Sequence, residues 1–254
     1  GAAHKDTRGQ SPQALPFRLM VRSPAPVDRD TNELGQPVGR MLPGWVPPPL
    51  PPREVMQGRF CRLEPLDAKA HGAKLFEANA LDRDGGMWTY MSHGPFETLE
   101  SYLAWAESAS HGDDPIFFTI VDSASGAPSG VASYMRIDRK SGVIEVGSIA
   151  YSPRLQRSPA ATEAMFLMMR NIFDLGYRRY EWKCSIWNAP SRAAAQRLGF
   201  SYEGVFRNHM VVKGRNRDTA WYSIIEDEWP ALRAAYERWL APENFDEGGS
   251  GGGV

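Results

Sequence analysis

The sequence holds only two cysteines, Cys61 and Cys184. Two thiols cannot build a disulfide framework or a zinc site, and a reducing compartment suits them. No apolar run approaches the ~18 residues of a membrane-spanning helix. The first residues lack the apolar stretch of a secretory signal. An excess of charge is missing too: 29 basic against 30 acidic residues leave a formal net charge of −1. That balance provides no strong global field for nucleic acid or an anionic membrane. The expectation is a soluble, cytoplasmic protein, monomer or homodimer, with no nucleic-acid partner, no membrane partner and no metal. Hydrophobic content of 42% and charged content of 23% are ordinary for a globular fold.

Proline, by contrast, is concentrated at one end. Residues 1–57 contain PAPVDRDTNELGQPVGRMLPGWVPPPLPPREV, too proline-dense for helix or central strand. The segment reads as an amino-terminal arm, disordered near residues 1–25. From about residue 33 it is ordered on the domain, because Leu42, Trp45, Val46 and Leu50 give it something to bury. The end, GGSGGGV, reads as a flexible linker. The expected division is arm 1–57, folded domain 58–240 and tail 241–254.

Within the domain, periodicity predicts helices over 68–81, 98–110, 159–175, 189–198 and 227–240. Thr98 is expected as an N-cap, with Ser101 in the first turn. Gly176 and Gly199 are expected to stop the third and fourth helices. IFFTIVD, GVASYMRID, GVIEVGSIAY, YRRYEWKCSIW, FSYEGVFRNHMVV and RDTAWYSII read as strands. The fold class is α/β (mixed α+β): a central mixed, mostly antiparallel twisted sheet flanked by helices.

The most informative stretch is residues 145–215. A strand runs through EVGSIAY into a polar loop that opens onto a helix at Ser158-Pro159. A second strand ends at Asn188, which opens another helix. A helix mouth reached from a strand is a phosphate site, because its first N–H groups lack partners and its dipole is positive there. Arg154 and Arg157 add charge beside it. Inside the first strand, at period two, Glu145, Gly147, Ile149 and Tyr151 are expected on one face. A carboxylate there is either a reacting group or one half of a buried ion pair.

These residues resemble the acyl-CoA signature of the GNAT N-acetyltransferases, in the form of the RimJ/RimL branch. Gln156-Arg157-Ser158-Pro159-Ala160-Ala161 stands where the family has its pyrophosphate loop, and Pro159 to Ala164 follows the pattern Gly-x-Ala-Thr-Glu-Ala with Pro for Gly. Asn188, Ser191, Leu198-Gly199-Phe200, Glu203-Gly204, Gly214-Arg215 and Asp218 continue the likeness over residues 58–240. The resemblance implies a GNAT fold and acetyl-CoA as cofactor. The cofactor would be held by Ser148, Ile149, Tyr151, Gln156, Arg157, Ser158, Ala160, Ala161 and Asn188. It implies Glu145 as the base or amine-orienting group and Ser191 as donor to the leaving thiolate. A tyrosine common one helical turn later is Ala195 here. The acceptor, an amine of a small molecule or peptide, would meet Trp88, Tyr90, His93, Phe96, Ser185 and Trp187. Cys184 reads as core. Two other readings remain: a GNAT scaffold whose chemistry no longer transfers acetyl, and a non-catalytic module that binds acyl-CoA or a partner, the latter through PPPLPP.

Overall fold

The computed structural model describes residues 29–245. The stretch expected to be disordered, 1–25, and the glycine-rich end lie outside the described residues. The strands are β1 (Arg29–Thr31), β2 (Pro37–Gly39), β3 (Met56–Gln57), β4 (Cys61–Pro65), β5 (Ile116–Asp122), β6 (Pro128–Asp138), β7 (Val143–Tyr151), β8 (Arg179–Ser185), β9 (Ser201–Val212) and β10 (Arg215–Ile225). The helices are α1 (Ala68–Asn79), α2 (Leu99–Ala109), α3 (Pro159–Asp174), α4 (Ala189–Arg197) and α5 (Trp229–Trp239). Eight strands form one sheet in the order β3-β4-β5-β6-β7-β8-β10-β9. Among the described strands only β7 and β8 run parallel, joined by α3 as crossover, so the sheet is mixed and mostly antiparallel, as expected.

Alternation assigns the faces. Tyr180, Trp182 and Cys184 of β8 join Ile144 and Val146 of β7 in the core under α3. α3 is apolar almost all round because it lies between the sheet and α5. Phe166 stacks on Tyr236 at 5.3 Å and Phe173 on Trp229 at 4.9 Å. α1 and α2 cover the other face of the first strands over Leu66, Leu75, Tyr102, Phe117 and Val131.

Local chemistry sets the helix ends. Thr98 and Ser101 form a reciprocal capping box, which satisfies two unpaired groups at once. Ser158 Oγ accepts from Ala161 N at 3.1 Å, and Asn188 Oδ1 from Ser191 N at 3.2 Å. Gly176 and Gly199 follow α3 and α4 at φ +93° and +94°, the left-handed region glycine enters without strain.

The arm touches the domain, as expected from about residue 33 onward, and so does the start of the segment expected as a flexible tail. Trp45 Nε1 donates to Lys140 O at 3.3 Å, Arg139 Nε to Pro48 O at 2.8 Å and the Tyr177 hydroxyl to Pro49 O at 3.0 Å. Ahead of that contact β1 and β2 pair as a short ribbon. Beyond residue 240, the Phe245 ring packs on Phe60 at 4.6 Å and on Trp239 at 5.5 Å.

On the face away from α3, β8 carries Arg179, Glu181 and Lys183. Arg179 bonds Glu181 at 2.7 Å and Glu203 at 2.5 Å. That bond, with a second from Ser223, holds Glu203 below the ordinary carboxylate value of 4.5, against desolvation. A carboxylate depressed in the folded state stabilises above its unfolded pKa, and the gain is lost as pH falls through the folded one. Glu203→Gln should therefore lower stability at pH 7, and the gap to wild type should close as pH falls below 4.5 in urea titrations. A gap that stays constant over that window would show that the Arg179 contact does not contribute.

Candidate active site

β7 and β8 pair only through Val143–Val146 and Arg179–Trp182. Beyond that they part, and the second half of β7 has no β8 partner. A bulge marks the parting: Val131 faces Ala150 and Ser133 faces Gly147, so Ser148 and Ile149 together oppose one residue of β6. Ser148 adopts φ +49°, which costs a non-glycine residue about 1–2 kcal/mol and re-aims the strand. The bulge corrects the expected common face. Ile149 and Tyr151 pack on the α3 side with Ile144 and Val146, while Ala150 turns to the α1/α2 side. Glu145 lies on the face opposite Ile149 and Tyr151.

The wedge so opened leads to two helix mouths. At α3, Ser158 caps, Pro159 occupies the first turn, and Arg157 is exposed in the left-handed conformation at φ +59°. Gln156 Nε2 ties the loop back to Tyr151 O at 2.8 Å, and Tyr151 Oη donates to Ala161 O at 3.2 Å. Ala160 and Ala161 are buried in the first turn; the Ala161 N–H is spent on Ser158 Oγ, which leaves the Ala160 N–H as a donor there. At α4, Asn188 serves as the cap. Ser191 Oγ accepts from Trp182 Nε1 at 3.0 Å and stands beside Cys184, whose thiol is pushed up by burial against a hydrogen bond from Ser191. Ala195 is fully buried, so a tyrosine there would require repacking of the core.

Glu145 is 5% exposed. Its Oε2 lies 3.0 Å from Lys183 Nζ and 3.0 Å from Arg136 Nε, held by charge rather than by aligned hydrogen bonds. Lys183 also reaches Glu181 at 2.7 Å. Burial raises the Glu145 carboxyl above its ordinary value, against the lowering pull of Lys183 and Arg136. A buried ion pair is thus present at the residue expected to act on the amine.

The acceptor-side residues divide into two groups. Tyr90 Oη donates to Trp187 O at 2.9 Å, and the exposed Trp187 takes its own N–H to Ser185 Oγ at 3.3 Å. Trp88 and Phe96 instead pack edge to face at 5.4 Å in the α1/α2 core, where they support the loop. His93 stacks on Trp105 at 4.9 Å. Desolvation, then Lys213, lowers its pKa to about 4, so it is neutral at neutral pH and a weak base. Lys213, at the tip of the β9–β10 hairpin, donates to Trp88 O at 2.7 Å. The hairpin therefore reaches the loop and closes the site on that side.

A family model described as acetyltransferase (GNAT) domain matches residues 61–201. A GCN5-related N-acetyltransferase from Brucella melitensis is 53% identical, with a TM-score of 0.80 over 83% of this chain and 96% of its own. The chain belongs to the GNAT acetyltransferase family. A probable GNAT-family acetyltransferase from Chromobacterium violaceum is 38% identical, with a TM-score of 0.72 over 77% of this chain and 98% of its own. The microcin C7 self-immunity acetyltransferase MccE, solved with acetyl-CoA and AMP, shares the fold at 20% identity and a TM-score of 0.59, over 66% of this chain and 93% of its own. No curated protein matches.

GNAT acetyltransferases take their acetyl group from acetyl-CoA, and the chain fits that donor. The unpaired stretch after Val146 offers strand backbone to an amide-bearing chain. The α3 mouth offers unsatisfied N–H groups, with the Arg157 cation next to them, to phosphates.

This GNAT site also contains groups that motif reading passes over. Lys183 and Arg136 hold Glu145, and Arg217 and Trp221 line the hairpin side. The β8 groups are visible in YRRYEWKCS, where Arg179, Glu181 and Lys183 alternate with Tyr180, Trp182 and Cys184. Glu163 of α3 accepts from the backbone N–H groups of Arg59, Phe60 and Cys61 at 2.9, 2.6 and 2.9 Å. A lone acid in the apolar run AATEAMFLMM was its signal.

Proposed function

We propose that this acetyltransferase modifies a primary amine of a small molecule or peptide and sits in the RimJ/RimL-like branch of its family. The branch assignment rests on Asn188, Ser191 and the Pro159 to Ala164 pattern. When bound, acetyl-CoA supplies the acetyl group as a thioester open to direct attack, so no protein nucleophile is needed. The observation that carries the reading is a wedge that opens one residue past Val146, next to a buried carboxylate and facing two helix mouths.

Arg157 and the first-turn N–H groups of α3 hold the phosphates. The backbone of Ser148, Ile149 and Tyr151 aligns the pantetheine arm, and Asn188 fixes the start of α4. Glu145 takes the amine proton at Oε1, while Lys183 and Arg136 hold Oε2. Burial raises its pKa and so makes it the better base. Ser191 Oγ accepts from Trp182, and its own hydrogen donates toward the thiolate by turning away from Cys184. Tyr90, Trp187 and the neutral His93 form the acceptor wall.

Acetyl-CoA should raise the melting temperature by mass action, and amines should then release free CoA thiol. Arg157→Glu is expected to abolish the thermal shift by setting a negative charge against the phosphates. A shift of unchanged size in that variant would remove the α3 loop from the cofactor site.

A further inference from the structure

The charges on the sheet face opposite α3 pair off, with one exception. Arg136 and Lys183 meet Glu145, Lys183 also meets Glu181, and Arg179 meets Glu181 and Glu203. Among the described residues Arg217 has no ion-pair partner, and its Nε is enclosed with no acceptor. Desolvation is the main cause that lowers its pKa; Arg136 adds to this, while Cys184 and Glu145 oppose it. The indole Nε1 of Trp221 is likewise enclosed without an acceptor. That indole is fixed in place, with the Phe206 ring at 4.2 Å and the Lys183 ammonium 3.9 Å from its centroid.

Register places these donors at the site. Trp221 faces Lys183 and Thr219 faces Ser185, the last residue of β8. Arg217 lies two residues further, opposite Met210. Asp218 O takes the N–H of Ile186, so Arg217 stands beside the chain that carries Trp187 toward Tyr90. Enclosing a donor without a partner is unfavourable, and more so for a charged one. Two such donors on β10, beside the end of β8 where the strands part, take their acceptors from a ligand. Lys213 is engaged by Trp88 O; among the described residues Arg217 is the enclosed cation here without an ion pair, and a planar guanidinium matches a carboxylate through two parallel bonds. A phosphate dianion would call for a second free cation.

On the acetyl-transfer reading above, we infer that the acceptor is an amine that also carries a carboxylate, bound by Arg217 with help from the Trp221 indole. Arg217 is thus a specificity residue on the acceptor side and not part of the cofactor site.

The test compares wild type, Arg217→Lys and Arg217→Ala, each with acetyl-CoA. The probes are leucine, phenylalanine and β-alanine, their methyl esters, and phosphoethanolamine. Binding is read by tryptophan fluorescence and transfer by thiol release. Wild type should favour acids over esters by roughly 30-fold or more, about the effect of one enclosed charge partner. Arg217→Ala should bring that ratio close to one, and Arg217→Lys should restore part of it. The acetyl-CoA thermal shift should persist in Arg217→Ala. Absence of a carboxylate preference in wild type, or the same preference in Arg217→Ala, overturns the inference. So does an equal preference for phosphoethanolamine. A folded Arg217→Ala protein without the acetyl-CoA shift would assign Arg217 to the cofactor phosphates instead. If acids bind through Arg217 but no amine is acetylated, the amine-transfer reading fails while the carboxylate site stands.

Discussion

Glu163→Ala should cost about 2–4 kcal/mol of stability, from three N–H groups, buried at Cys61 and part-buried at Arg59 and Phe60, that each lose their acceptor. The carboxylate of Glu163 is 4% exposed as part of its residue and gathers the amides of Arg59, Phe60 and Cys61. Those residues lead into β4. Cys61 in turn donates its thiol to Ala160 O at 3.5 Å, so the edge of the sheet is sewn to the first turn of α3. A methyl group at position 163 offers those amides nothing. A Cβ at Gly58 would come within 2.4 Å of Glu163 Oε2, which is why glycine precedes this clasp. Glu163→Gln keeps one carbonyl oxygen and should lose less than Ala. Urea unfolding gives the free energies, and amide exchange at residues 59–61 should rise first. A loss below about 1 kcal/mol in Glu163→Ala would mean that the segment finds other acceptors.

The clasp also illustrates how far the sequence could be read. Helix ends are written locally. Thr98, Ser158 and Asn188 cap with their own side chains, and Gly176 and Gly199 supply left-handed residues, so short-range chemistry suffices to place α2, α3 and α4. Strand faces are legible only while alternation holds. In β8 it holds, and the charged and apolar faces follow from YRRYEWKCS. In β7 the bulge at Ser148 inserts a residue, and everything after it changes sides. A serine does not announce a left-handed backbone, so the expected grouping of Glu145 with Ile149 and Tyr151 fails. Opposite Arg217–Thr219 and Trp221–Tyr222 the extra residues lie in β9, so β10 keeps its own period. The unpaired donors of β10 were invisible because the lack of a partner is a property of the packed chain. Motif likeness pointed to the helix mouths and to Glu145. It could not tell that Trp88 and Phe96 support a loop from the core side, since burial is a property of the packed chain.

Lys183 is where stability and chemistry meet. Its side chain is 6% exposed and lies between Glu145 at 3.0 Å and Glu181 at 2.7 Å, which face each other across the parallel strands. Lys183→Met keeps most of the length but removes the charge, and with it the ammonium contact on Trp221. Two enclosed carboxylates then share Arg136 and Arg179, and the expected loss is about 3–5 kcal/mol. The loss should depend on pH in a definite direction. Burial already raises the Glu145 pKa in the folded protein, and without Lys183 it rises further. A carboxyl with a raised folded pKa binds protons more tightly folded than unfolded, so stability grows as pH falls. The deficit of Lys183→Met should therefore be largest at neutral pH and shrink as pH falls toward 5. Adding Glu145→Gln to Lys183→Met should cost less than the two single losses summed, because the second change removes the charge that the first left alone. Catalysis separates the two roles of Glu145. If it takes the amine proton, Glu145→Gln lowers the turnover number by roughly 100- to 10,000-fold with the acetyl-CoA thermal shift intact, and the acid limb of the rate profile moves to higher pH in Lys183→Met. If it only balances charge, Glu145→Gln loses stability while each folded molecule turns over at the wild-type rate. Turnover per folded molecule at neutral pH, measured beside the unfolding free energy, decides between them.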